Sequence, residues 1–165
     1  MMDFIQLGIG RWLHIAAGVM WIGLLYYFNF VQVPAMAAAG KDNTGAGITK
    51  HVAPRALFWF RWAAVVTWLA GALLLGKNFV NAFLFLNHAF YAIGVGAWLG
   101  TIMLFNVWVL IWPNQQKILG LVQATDEEKA KARRVAFLAS RTNTLLSIPM
   151  LFFMAAAGHQ GIFFG

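Results

Sequence analysis

Four long apolar segments restrict what this chain can fold into. They cover about residues 4–33, 56–75, 82–112 and 144–164. A helix that crosses a bilayer needs about 20 apolar residues, and each segment reaches that length. Helices satisfy their backbone hydrogen bonds within the segment, so such segments are helical in lipid. We therefore predict an all-α fold, an integral membrane four-helix bundle that forms a single four-span domain over residues 1–165.

The composition agrees with lipid as the solvent. The chain is 61% hydrophobic and only 10% charged, whereas soluble domains carry roughly 25% charged residues. The net charge of +7 does not indicate nucleic acid, because the basic residues lie between apolar segments; membrane lipid is the predicted neighbour. A sequence without cysteine excludes disulfides, iron–sulfur clusters and covalently attached c-type haem.

The basic residues also predict the orientation of the chain in the membrane. Most of them lie in or beside the two long loops, after the first and the third segment: Lys41, Lys50, Arg55, Arg61, Lys117, Lys129, Lys131, Arg133, Arg134 and Arg141. The other side has Arg11 and Lys77. By the positive-inside rule both long loops are cytoplasmic. Both termini and the turn at residues 76–78 then face the periplasmic side of a bacterial inner membrane.

A further helix is predicted in the second long loop. Thr125 and Glu128 have the spacing of a capping box, in which each side chain bonds the other residue's backbone N–H. An amphipathic cytoplasmic helix should therefore run over about residues 126–140 and continue into the fourth segment. Pro149 leaves the Leu145 carbonyl without its helical donor, so we expect a kink there.

Three histidines lie in the apolar segments or at their ends. His14, His88 and His159 come from three different segments, and the predicted topology puts all three at a similar depth near the outer face. Ionisable groups in lipid are costly and usually functional. Residues eighteen apart share a helix face about 27 Å apart, which pairs His14 with Gln32, His88 with Asn106 and Arg141 with His159. We expect these polar stripes to face one another inside the bundle.

Inward histidines in a four-helix bundle favour b-type haem as the cofactor. His14 and His88 are the preferred axial ligands of the iron, and His159 is the alternative ligand or a neighbouring group. Arg11, one turn from His14, would pair with a haem propionate. A copper or zinc ion held by the three histidines stays open, and each histidine taken alone is explained equally well as an interfacial residue.

Several motifs resemble the urate oxidase N-terminal membrane family. They are Arg11-Trp12-Leu13-His14, Phe58-Trp59-Phe60-Arg61-Trp62, Ile111-Trp112-Pro113-Asn114-Gln115-Gln116-Lys117 and Arg141-Thr142-Asn143-Thr144. The resemblance covers nearly the whole chain and is to a short form without the cytochrome c domain of the urate-oxidising members. It implies an oxidoreductase. A more distant similarity, to the four-span bacterial protoporphyrinogen oxidase, maps onto His14 and His88 and implies b-type haem.

These observations together predict a membrane b-type haem protein for electron transfer, as a subunit or accessory of a respiratory or oxidase system. Its electron partner would be a quinone, a periplasmic cytochrome c or a larger membrane complex. Two alternatives stay open: a haem-dependent membrane oxidase of a small, urate-like heterocycle or a porphyrinogen, and a haem-free structural or transport subunit.

Overall fold

Four long helices carry the apolar segments in the computed structural model, which describes residues 4–158. The helices are α1 (Leu7–Lys41), α2 (Ile48–Phe83), α3 (His88–Ile118) and α4 (Asp126–Ala157). Each is long and apolar enough to cross a membrane, and the described part contains no strand. The predicted all-α fold is confirmed for these residues, and four such helices are compatible with a multi-pass membrane protein.

Three prolines sit just after a widened helical turn. In each case the residue before the proline donates its backbone N–H to the carbonyl five residues earlier: Val33 to Phe28, Ala53 to Ile48 and Trp112 to Val107. Proline has no N–H to donate and its ring crowds the carbonyl four residues before it. A wider, π-type turn absorbs that crowding without ending the helix. Each helix therefore continues past its proline.

The connection from α2 to α3 lies later in the chain than the sequence suggested, at residues 84–87. Gly76 has a φ of 48° and interrupts α2 with a 3-10 turn at Gly76–Asn78, after which Phe79–Phe83 is helical again. This last helical turn packs on α3, where the Trp98 indole donates to the Phe83 carbonyl at 2.9 Å. Because residues 79–83 complete α2, the helix of the third segment begins at His88 rather than at 82.

The N-terminal end of α4 has the predicted capping box. The Glu128 backbone N–H donates to Thr125 Oγ1 at 3.2 Å, and the Thr125 N–H donates to the Glu128 carboxylate at 2.8 Å. From this cap one continuous helix runs through Pro149 to Ala157. The loop helix and the fourth apolar segment are thus one element over the residues that the structure describes.

The helices pack as two pairs, α1 with α2 and α3 with α4, and contacts of α1 with α4 and of α2 with α3 close the bundle. The hydrophobic core is built from all four helices, with Trp21, Leu25, Phe60, Met103 and Val107 among its most buried members. Most other large apolar side chains are exposed on the outside of the bundle. That distribution is expected of a bundle whose solvent is lipid.

Asparagine side chains join α3 to α4 in the core. Asn143, which is fully buried, donates to the Met103 carbonyl at 3.0 Å and accepts from the Asn106 amide at 2.8 Å. In lipid an unpaired amide has no water to bond, so such pairs hold helices in one register. The sequence predicted Asn106 on an inward polar stripe, and this side chain is buried. The sequence did not indicate that Asn143 is its hydrogen-bond partner.

Candidate functional site

His14 is held between α1 and α2 in the half of the bundle that contains the α1 N-terminal turns. Its side chain is half-buried, and its Nδ1 lies 2.8 Å from the backbone carbonyl oxygen of Thr67. A carbonyl oxygen only accepts, so Nδ1 carries the proton and is the donor. In neutral imidazole the other nitrogen, Nε2, then has a free lone pair. No hydrogen bond to Nε2 occurs within the described residues, which leaves this nitrogen able to bind a metal.

A glycine on α2 allows α1 and α2 to approach closely around this imidazole. A methyl group built on Gly71 would lie 2.9 Å from His14 Cε1 and 3.1 Å from Nδ1. On α1, a methyl group on Gly18 would touch the Thr67 methyl at 3.6 Å. The His14 ring therefore lies directly on the backbone of α2 at Gly71. Thr67 itself is buried and its hydroxyl donates to the Ala63 carbonyl at 2.7 Å.

Arg11 lies one helical turn before His14 on α1, and its side chain is exposed. One turn brings a side chain onto the same helix face. Arg11 therefore lies on the same face of α1 as His14, and it forms no ion pair with an Asp or Glu side chain within the described residues. The sequence prediction of a propionate partner for Arg11 stays a prediction.

His88 is the first residue of α3 and lies in its opening 3-10 turn. Its side chain is exposed, and its ring packs at a tilt of 43° against Tyr91 of the same helix, with a centroid distance of 4.5 Å. The preceding residue, Asn87, caps the turn by accepting from the Ala89 N–H at 2.9 Å. Unlike the His14 imidazole, the His88 imidazole makes no hydrogen bond to another helix in the described part of the chain.

The third predicted ligand, His159, lies outside the described residues. Among residues 4–158 no group of three His, Asp or Glu side chains is close enough to hold a metal ion. The contacts that the structure shows for the His14 imidazole are with Thr67 and Gly71 of α2. The pairing of His14 with His88 or His159 on one iron stays a prediction.

Thr67 and Gly71 are the site residues that sequence reasoning missed. Their contribution is a backbone carbonyl and the lack of a side chain, so neither shows as a polar signal in an apolar segment. The four-residue spacing of Thr67 and Gly71, one turn of helix, could have indicated a contact face on α2. It could not have indicated that the contact is with His14.

Comparison with known proteins identifies one family. The model of the family described as "Urate oxidase N-terminal" matches residues 76–165, more than half of the chain. This stretch covers α3 and α4 and the end of α2, whereas His14 and Thr67 lie before it. Searches of curated proteins and of solved structures gave no significant match.

Proposed function

The chain belongs to the urate oxidase N-terminal family, and within that family we propose a role for it as a membrane b-type haem protein that transfers electrons. The observation that carries the proposal is the His14 imidazole, whose Nδ1–H is fixed on the Thr67 carbonyl at 2.8 Å. Histidines that bind metals usually donate their second ring N–H to a carbonyl or carboxylate in this way. A half-buried histidine whose ring proton is on Nδ1 suits an axial ligand, because its Nε2 lone pair can then bind the iron.

The chain's own residues prepare this nitrogen for binding. The hydrogen bond to Thr67 selects the tautomer, orients the ring and makes Nε2 more basic. The contact with Gly71 limits rotation of the ring, since α2 backbone lies against one side of it. Arg11 supplies a positive charge one turn away that suits a propionate. The haem, when bound, supplies an iron that changes oxidation state by one electron.

The second axial position is proposed for His88 or His159. His88 is exposed at the start of α3, and within the described residues its imidazole makes no hydrogen bond to another helix that would have to be broken. A ligand from α3 or from the end of α4 would tie the second helix pair to the first. The haem would then bridge α1 to the other half of the bundle.

The proposed setting is the bacterial inner membrane, with both long loops in the cytoplasm and the His14 end near the outer face. The distribution of basic residues supports this orientation. A subunit or accessory of a respiratory or oxidase system is the role we propose, with a quinone, a periplasmic cytochrome c or a larger membrane complex as electron partner.

The absorption spectrum of the detergent-purified protein tests the proposal. A Soret band that sharpens and shifts on addition of dithionite is expected for the wild type. His14→Ala should lose most of this band, because the carbonyl-fixed imidazole is gone. His51→Ala is the matched control, since His51 is exposed at the opposite end of the bundle and its loss should leave the spectrum unchanged. A folded wild type without visible absorption would contradict the proposal.

The family itself favours a second candidate function, oxidation of a small heterocycle such as urate. A porphyrinogen is the other substrate class that we consider. Turnover of urate or protoporphyrinogen by the purified protein, with a soluble electron acceptor, would separate an oxidase from an electron carrier. A folded protein that neither binds haem nor turns over these compounds would leave a structural or transport subunit.

A further inference from the structure

A second site lies at the end of the bundle opposite to His14. A partly open cavity of about 510 Å³ is lined there by the end of α1, the start of α2, the end of α3 and the N-terminal half of α4. Phe28, Leu57, Phe60 and Ile111 form much of its apolar wall. These helix ends are the ones that carry most of the chain's basic residues. The cavity therefore lies where an apolar bundle meets lipid headgroups.

Asn29 presents an unused hydrogen-bond acceptor at this cavity. The residue is 3% exposed, and its Nδ2 donates to the Leu25 carbonyl at 2.9 Å and to Ser140 Oγ at 2.8 Å. Because the Leu25 carbonyl can only accept, the amide cannot be flipped. Its Oδ1 is buried and has no hydrogen-bond partner within the described residues. A buried acceptor without a partner is costly, so a ligand with a donor would stabilise it.

Gln32 repeats this feature one turn further along α1. It also lines the cavity, and its Oε1 is likewise buried and unpartnered in the described part of the chain. The two residues lie in the same π-helical segment, Tyr27–Gln32, and line the same cavity. A ligand with more than one O–H or N–H group suits two such acceptors.

The charged lining of the cavity is entirely basic. Arg133 and Arg134 of α4 line it, and among the described residues no Asp or Glu does. Guanidinium groups bind phosphate oxygens through paired N–H donors. The cavity thus combines an anion-binding edge, two acceptor oxygens and an apolar wall.

We propose that this cavity binds an anionic glycerophospholipid whose headgroup carries hydroxyls, of the phosphatidylglycerol type. Arg133 and Arg134 hold the phosphodiester, the headgroup hydroxyls donate to Asn29 Oδ1 and Gln32 Oε1, and the acyl chains lie along the apolar wall and the outside of the bundle. A lipid fits better than a free anion because the wall is apolar and lies at headgroup level. The site is independent of haem.

Binding of defined lipids to the full chain in detergent, measured by native mass spectrometry, tests the proposal. Phosphatidylglycerol should bind at least about tenfold more tightly than phosphatidylcholine with the same acyl chains, because each basic side chain near a headgroup contributes about 1 kcal/mol. Arg133→Gln with Arg134→Gln should abolish this preference. Lys129→Gln with Lys131→Gln removes the same charge from the same helix without touching the cavity lining, and should keep it.

Phosphatidylmethanol tests the two acceptor oxygens separately from the charge. It is a phosphodiester of the same charge without headgroup hydroxyls, so the wild type should prefer phosphatidylglycerol to it severalfold. Gln32→Leu should remove this preference while phosphatidylglycerol still binds better than phosphatidylcholine. Gln123→Leu, in the exposed loop before α4, is the control and should behave like the wild type.

Three results would overturn the proposal. The first is equal binding of phosphatidylglycerol and phosphatidylcholine to the wild type. The second is an equal loss of the phosphatidylglycerol preference in the Lys129/Lys131 and Arg133/Arg134 variants, which would mean non-specific attraction to basic residues. The third is binding of glycerol phosphate or inorganic phosphate as tight as that of the lipid, which would assign the cavity to a soluble anion. The haem spectrum of the same samples is read separately, so failure here does not affect the proposed function.

Discussion

Gly71 is the residue on which the position of His14 depends most directly. The imidazole lies against the α2 backbone at this glycine, and a methyl group there would come within 2.9 Å of Cε1. The ring could escape only by leaving the Thr67 carbonyl or by pushing α1 away from α2. A residue without a side chain thus leaves the space in which the imidazole reaches the Thr67 carbonyl.

We predict that Gly71→Ala lowers haem occupancy and destabilises the bundle by about 1–3 kcal/mol, as overpacking does. Gly23→Ala on α1 is the matched control, because nothing lies within 4 Å of the added methyl group and alanine favours a helix over glycine. Haem content and the midpoint of thermal unfolding in detergent are the measurements. Equal haem content and equal unfolding midpoints in the two variants would show that the His14–Gly71 contact contributes neither to haem binding nor to stability.

At the scale of single residues the sequence identified the polar side chains but not their partners. His14 stands out in an apolar segment, and the structure shows it engaged with another helix. Its partners are a backbone carbonyl and a glycine, which no side-chain pattern reveals. Asn29 was missed because a single amide among Tyr26, Tyr27 and Phe28 looks like an interfacial residue, although it is 3% exposed.

The final turn of α2 is the element whose packing is least tolerant of change. Gly94 of α3 faces the Ala82 carbonyl oxygen, and a methyl group built on Gly94 would overlap that backbone atom. Backbone cannot move aside as the end of a side chain can. By contrast, Gly96 faces the flexible Met154 side chain at 3.3 Å, which can adjust.

Gly94→Ala should therefore destabilise the protein by about 2–3 kcal/mol. Gly100→Ala, on the same helix and with open space around the added methyl group, should leave the stability unchanged or raise it slightly. Thermal unfolding of both variants in detergent measures the difference. Should Gly94→Ala unfold at the same temperature as Gly100→Ala, the contact between residues 79–83 and α3 would not be part of the stable fold.

The four helices were predictable from hydropathy. A long apolar segment in lipid has no water to bond its backbone, and a helix is the structure that satisfies those hydrogen bonds within one segment. The capping box at Thr125 was predictable because it is a local pattern. The start of α3 at His88 was not predictable, because Leu84 and Phe85 before it are as apolar as the helix that follows. Gly76 has a positive φ, and the Trp98 indole holds the short helical turn after it at the Phe83 carbonyl, a contact between distant residues that hydropathy does not show.

At the scale of the whole molecule the two sites lie at opposite ends of the bundle. His14 belongs to the end with few basic residues, and the cavity with Asn29 belongs to the end with many. If the basic end faces the cytoplasm, as the positive-inside rule predicts, the proposed haem site lies towards the periplasm and the proposed lipid site towards the inner leaflet.

The sequence contains no cysteine, so single cysteines can report this orientation. Lys77→Cys, in the turn within α2, should react with a membrane-impermeant maleimide in intact cells. Gln123→Cys, in the loop before α4, should react only after the membrane is permeabilised. The opposite pattern would invert the topology and move the His14 end to the cytoplasmic side.

The central claim is that His14 Nε2 binds a haem iron, and chemical rescue tests it most directly. His14→Gly should purify with little haem and without the six-coordinate spectrum, because the variant has a hole where the imidazole was. Reconstitution with haem in the presence of free imidazole should restore that spectrum, whereas reconstitution without imidazole should not. A His14→Gly protein with the wild-type spectrum and no added imidazole would contradict the account.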